Sequence, residues 1–243
     1  MTALRRRSFL TAIGGSLGGM ALYPVRAVAA PPSFIAFGDS YTASFRMGVP
    51  SWADQIDGSD AATLLVNLAV SGSTIEGINR LRTFDGQVDS WITNYKSKGI
   101  PQRTVVYFGY NDLGKPLSGT ERQYRVQIDR LIASGVTQGQ RKLVFCLLHD
   151  KSRNPGTTIN VRAKVKAWNS YVRSIANARA NCVVVDLFTL IENVFRRPGR
   201  YGFTNLTVPS KTLSATTHLF ADSDHFGQKG QMLIAKQIKP KLL

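Results

Sequence analysis

The sequence predicts an α/β fold, a three-layer α/β/α sandwich built on a five-stranded parallel sheet. Three observations predict it: five short apolar runs, helical stripes in the segments between them, and no Pro/Ser-rich linker, repeat or composition break across residues 30–243. The first run, Phe34 to Phe37, follows Pro31 and Pro32; the others are Thr63 to Leu68, Thr104 to Phe108, Lys142 to Leu148 and Cys182 to Leu187. Runs apolar at successive positions fit strands covered on both faces, the usual state of parallel sheets. The clearest helix is predicted to begin at Thr120, where Thr120 and Gln123 have capping-box spacing. Tyr124, Ile128, Leu131 and Ile132 then stripe one face until Gly135. Val161, Val165, Trp168, Val172 and Ile175 stripe a second helix, and a last one follows His225. One domain over 30–243 is expected.

Length and composition limit the alternatives. The chain has 243 residues, 43% of them hydrophobic, with no uninterrupted twenty-residue apolar run, which excludes collagen, coiled coil and disordered tail. Cys146 and Cys182 lack zinc-site spacing, and both fall inside predicted strands, where free buried thiols are expected. The formal charge of +16 raises the question of nucleic acid. Its distribution answers against it: Arg122, Arg125, Arg130, Arg162, Lys164, Lys166 and Arg173 scatter over helices, without the interleaved aromatics of a single-strand binder.

Residues 1–29 read as an export signal of twin-arginine type. Arg5-Arg6-Arg7-Ser8-Phe9-Leu10 precedes a weakly apolar middle, Arg26 and the small-x-small site Ala27-Val28-Ala29. A segment so rich in glycine and broken by Pro24 inserts poorly, so no membrane anchor is expected. The signal holds four arginines and no acid, so cleavage would lower the charge from +16 to +12. A periplasmic or extracellular protein follows, remote from nucleic acid.

Chemistry in open α/β sheets sits at the carboxyl ends of strands. Three of these ends carry unusual polar residues: Gly38-Asp39-Ser40-Tyr41-Thr42, Ser71-Gly72-Ser73, and Gly109-Tyr110-Asn111-Asp112. Before the last helix, Asp222-Ser223-Asp224-His225 supplies an acid and an imidazole. Ser40 is hardly nucleophilic by itself and needs a neutral imidazole to take its proton; His225 is the candidate base. Asp222, three residues earlier, can turn back to orient that ring, whereas Asp224 is adjacent to it and would point away. The Ser40 and Gly72 backbone N–H groups and the Asn111 amide are candidate oxyanion donors.

These four blocks, in this order, resemble the GDSL or SGNH hydrolases. The resemblance spans nearly all of the chain after residue 33 and implies a flavodoxin-like α/β/α sandwich. It also implies Ser40, Gly72, Asn111 and His225 as the four name-giving residues, with Asp222 completing the triad. A finer likeness, Pro198-x-x-Tyr201-Gly202-Phe203-Thr204-Asn205, is similar to the lipase and acylhydrolase branch that includes thermolabile haemolysins. Ser44-Phe45 stands where that branch has an Asp after Ala43, and Phe226 replaces its usual proline.

The expected activity is ester hydrolysis through an acyl-enzyme, without cofactor or metal, by a monomer acting on a small-molecule, lipid or acetylated-glycan ester. An acyltransferase shares the intermediate and is the alternative; a non-catalytic binding module would leave the triad without purpose. Gly14-Gly15-Ser16-Leu17-Gly18 formally matches a nucleophile elbow but lies in the export signal with no strand before it. His218 reads as a partly buried loop residue. His149, at the end of the fourth run, is expected to be similar and near enough to the site edge to contact substrate. Tyr41 and Tyr110 are pocket walls or core aromatics, and Asp112 is a loop stabiliser.

Overall fold

The computed structural model describes residues 30–44, 48–59, 61–210 and 217–243; the segment expected to be an export signal, residues 1–29, and Phe45 lie outside them. Pro31–Leu243 forms one compact unit. In chain order its main elements are β1 (Ser33–Gly38), α1 (Trp52–Asp57), β2 (Thr63–Asn67), α2 (Phe84–Ser90), β3 (Arg103–Tyr107) and α3 (Leu117–Ala133). There follow β4 (Lys142–Cys146), α4 (Arg162–Asn177), β5 (Cys182–Val185), α5 (Leu187–Arg196) and α6 (Gln228–Leu242). The five strands pair in parallel in the order β2-β1-β3-β4-β5. The chain reverses direction across the sheet after β2, so a crevice opens at the carboxyl ends of β1 and β3. Ser40 and Asn111 follow those two strands.

The apolar runs become strands because their Val, Ile and Phe side chains are buried from both sides in the centre of the sheet. Phe34 to Phe37, Val105 to Phe108 and Leu143 to Phe145 are all essentially inaccessible. The outer strands differ from the expected double-sided burial. β2 is an edge, with Leu65 half exposed at 50%, and β5 on the other edge is only partly covered until Val185. The fifth run also ends early, because Asp186 accepts from the Thr189 N–H at 2.9 Å and starts α5 at Leu187.

The striped helices pack as their periodicity requires. Tyr124, Ile128 and Leu131 of α3 and Val165, Trp168, Val172 and Ile175 of α4 face the core, each worth about 2 kcal/mol of apolar burial. The capping box at Thr120 does not form. Pro116, which lacks an N–H and has φ near −60°, is the N-cap, so the helix begins at Leu117. Thr120 then lies within it and donates its hydroxyl to the Pro116 carbonyl at 3.3 Å. Cys146 and Cys182 are free. Cys182 is in register with Leu143, three residues from Cys146, which separates the two by about 10 Å along the strands.

Candidate active site

The Ser40 segment leaves β1 through a tight turn in which Thr42 and Ala43 donate backbone N–H groups to the Asp39 carbonyl at 3.1 and 2.9 Å. Asp39 is fully buried; its Oδ1 accepts the Tyr41 N–H at 3.0 Å, and its Oδ2 has no hydrogen-bond partner among the described residues. Burial, with the nearby Asp112 charge, pushes its carboxyl up to about 7 despite the Tyr41 N–H and Lys151. Ser40, between these two residues, is partly exposed.

Ser40 Oγ lies 2.8 Å from His225 Nε2. On the other side of the ring, Nδ1 lies 2.9 Å from Asp222 Oδ2 and 3.1 Å from Oδ1. Asp222 Oδ1 also accepts the backbone N–H groups of Asp224 and His225, at 2.7 and 2.6 Å. Burial opposes charge on Asp222, but these N–H groups and the ring outweigh it and hold the carboxyl below its ordinary value. Asp224 turns its side chain elsewhere, 3.7 Å from Lys151 Nζ.

The loop after β2 and the turn after β3 are tied together. Asn111 Nδ2 donates to the Ser73 carbonyl at 2.8 Å; Asp112 accepts the Ile75 N–H at 2.9 Å and Lys115 Nζ at 3.0 Å. Asp112 is thus a loop stabiliser, and its carboxyl is raised because burial outweighs those donors. Gly72 adopts φ +77° and Gly109 φ +129°, both in the region that favours glycine. A Cβ on Gly109 would sit 2.6 Å from Trp168 Nε1, the atom that donates to the Phe108 carbonyl at 3.1 Å. Ser40, Gly72, Asn111, Asp222 and His225 therefore all belong to segments converging on one edge of the sheet.

Over residues 36–231 the sequence matches the model of the GDSL-like lipase/acylhydrolase family. The chain belongs to that family. It is accordingly a hydrolase of ester bonds. No curated protein matches it. Among solved structures it is similar to the acetyl xylan esterase AlAXEase, at 18% identity and TM-score 0.61, covering 87% of this chain and 100% of that one. The acetylxylan esterase Axe2 from Geobacillus stearothermophilus gives 15% and 0.57, covering 87% and 94%. A carbohydrate esterase of family 3 from Talaromyces cellulolyticus gives 17% and 0.56, covering 87% and 96%. At these identities the likeness is one of fold.

Two features of this GDSL-like site escape a reading of sequence. Gln87 of α2 is buried and bonds Gly38 twice, accepting its N–H at 3.0 Å and donating to its carbonyl at 2.8 Å; it also reaches Ser73 Oγ at 3.2 Å. It thereby fixes the last residue of β1 against the Gly72 loop, and no local period betrays it. The second is His149. Expected to be partly buried and near enough to the site edge to contact substrate, it is instead wholly buried, because the aromatic rings of Tyr41, Tyr110 and Phe226 close over it at 5.2, 4.9 and 4.6 Å. Tyr41 and Tyr110 are buried as well, and Tyr110 also borders a cleft of about 300 Å³ with Leu113, Lys151, Thr157, Thr158 and Asp224. His218 is partly buried in a loop, 3.3 Å from Thr217 Oγ1.

Proposed function

We propose that this chain is an exported serine esterase that works through an acyl-enzyme. The observation that carries the reading is the unbroken line Ser40 Oγ, His225 Nε2, His225 Nδ1, Asp222 Oδ2, with links of 2.8 and 2.9 Å between side chains brought from opposite ends of the sequence. Ser40 Oγ attacks the ester carbonyl while His225 Nε2 takes its proton, and Asp222 stabilises the imidazolium. The carbonyl oxygen becomes an oxyanion held by the Ser40 and Gly72 N–H groups and by Asn111. One Asn111 amide hydrogen is committed to Ser73, and the second is available to the oxyanion. Collapse breaks the carbon–alkoxide bond, and the alkoxide leaves with the proton from His225. Water then attacks the acyl-Ser40 ester and gives a proton to His225; the bond from the acyl carbon to Ser40 Oγ breaks, His225 returns the proton to Oγ, and the acid is released.

For substrate, we infer a short acyl group on a carbohydrate or other small hydroxyl compound. The names of the three similar structures support this, as does the 300 Å³ cleft beside Asp224, whose Thr157, Thr158 and Lys151 suit a polar alcohol portion. The test is hydrolysis of nitrophenyl acetate, an acetylated xylan and a phospholipid, with Ser40→Ala as control. Loss of roughly a thousandfold or more in kcat for Ser40→Ala is expected, with acetyl esters preferred to phospholipid. Full activity of Ser40→Ala would overturn the mechanism. Predominant transfer to an added alcohol would convert the hydrolase into an acyltransferase.

A further inference from the structure

Behind the triad lies a buried chain of polar groups that takes no part in the chemistry above. Tyr107 Oη and Tyr110 Oη are 3.1 Å apart. Tyr110 Oη accepts the backbone N–H of His149 at 2.6 Å and bonds His149 Nδ1. His149 Nε2 lies 2.9 Å from Asn154 Oδ1. Asn154 Nδ2 donates to Tyr41 Oη at 2.7 Å and to the Asp224 carbonyl at 2.9 Å, and Tyr41 Oη donates to that same carbonyl at 2.7 Å.

The direction of every proton follows. Asn154 must place its NH₂ toward Tyr41 and Asp224, since the Asp224 carbonyl only accepts, so its oxygen faces His149. His149 Nε2 therefore carries the hydrogen and Nδ1 accepts from Tyr110. Tyr110 Oη, already accepting the His149 N–H, also accepts from Tyr107. A protonated His149 would turn a third donor on Tyr110, and burial pushes the ring down to about 4, so it stays neutral. The chain thus has one arrangement of hydrogens and no donor left over.

Its far end grips the peptide between Asp224 and His225. The carbonyl of that peptide takes Tyr41 and Asn154; its N–H goes to Asp222 Oδ1 at 2.6 Å. With both sides of this peptide held, and the His225 carbonyl accepting the Ala221 N–H at 2.8 Å, the backbone on either side of the His225 Cα is tied down and with it the direction of the Cα–Cβ bond. Tyr41 directly follows Ser40, and its ring lies 5.6 Å from that of His225. Tyr110 directly precedes Asn111.

We propose that Asn154 and Tyr41, oriented by His149 and Tyr110, are positioning residues that set His225 against Ser40 by holding the Asp224 carbonyl. The chain ties the nucleophile, the oxyanion turn and the acid–base loop together through bonds that do not touch the reacting atoms. This rests on the serine-esterase reading.

The test compares Tyr41→Phe, Asn154→Ala and the core control Ile128→Val with the unaltered enzyme on nitrophenyl acetate, with the melting temperature of each recorded. Misplacing a reacting pair by a fraction of an ångström to 1 Å costs up to a hundredfold, so Tyr41→Phe and Asn154→Ala should each lose roughly tenfold or more in kcat. KM should stay within about twofold and the acid limb of the kcat/KM profile should move. Ile128→Val, a core substitution on α3, which contributes none of these bonds, should leave both untouched. Folded variants with kcat within about twofold and an unmoved pH profile overturn the proposal, as would an equal kcat loss in Ile128→Val. If Asn154→Ala does not fold, Tyr41→Phe, which deletes a single oxygen, decides alone. An inactive Ser40→Ala beside unchanged positioning variants refutes this proposal only; an active Ser40→Ala refutes the esterase reading itself.

Discussion

Asp39 makes a pH prediction whose size can be worked out. Its carboxyl is inaccessible, one oxygen has no partner among the described residues, and the group is pushed from an ordinary 3.8 to about 7. Burial is the main cause, joined by Asp112 and resisted by the Tyr41 N–H and Lys151. An acid whose folded value is raised binds more protons in the folded state than in the unfolded one between those two values. Stability therefore falls as pH rises through that window and is restored below it. A shift from 3.8 to about 7 corresponds to about 4 kcal/mol at 1.36 kcal/mol per unit. Asp39→Asn keeps an oxygen for the Tyr41 N–H and cannot ionise, so the variant should gain about 4 kcal/mol relative to the unaltered protein between roughly pH 4 and pH 8. Guanidinium unfolding of both proteins across that range measures the difference, in which every other titrating group cancels. A difference that is flat within about 1 kcal/mol, or that moves in favour of the unaltered protein as pH rises, would refute the account of Asp39 as a carboxyl destabilised by burial.

Other expectations use the same preparations. His149 is lowered from 6.5 to about 4 by burial, so the unfolded chain takes its proton first as pH falls; stability should drop by about 3 kcal/mol between those values, and His149→Gln should flatten that part of the unfolding series. Gly109→Ala combines φ +129° with a Cβ 2.6 Å from Trp168 Nε1. A cost of about 3 kcal/mol is expected, read as a melting temperature lower by roughly 6–12 °C. Asn111→Ala should lower kcat by about 10²–10³ for loss of an oxyanion donor; a change confined to KM would remove it from that role.

The sequence displayed the centre of this fold better than its margins. The β1, β3 and β4 runs hold uninterrupted apolar stretches, Phe34 to Phe37, Val105 to Phe108 and Leu143 to Leu148, because both faces are covered, and that pattern is visible locally. β2 and β5 carry similar residues but lie at edges, a fact set by strand order and not by composition. Thr120 and Gln123 satisfy a spacing rule three residues inside α3, while its start is set at Pro116, whose ring fixes φ and removes an N–H. At the site, the residues expected from motifs fall on converging segments, since three of the motifs sit where β1, β2 and β3 stop and the fourth just precedes α6. The buried supports do not announce themselves. Gln87 meets Gly38 across 49 residues and Asn154 meets Tyr41 across 113, and a lone polar residue in a helix or loop looks solvated until its distant partner is known.

The position of Asp222 and His225 also sets an order of events. They lie beyond the last strand and just before α6, whose Gln231 accepts the Trp52 N–H at 3.1 Å and joins the end of the chain to α1. The five strands are complete by Val185, yet the imidazole that bonds Ser40 comes only with the segment Asp222 to His225. On the proposed mechanism, a chain interrupted between Val185 and Asp222 would hold all five strands and a serine without its base, so that reactivity toward esters waits on the segment just before α6.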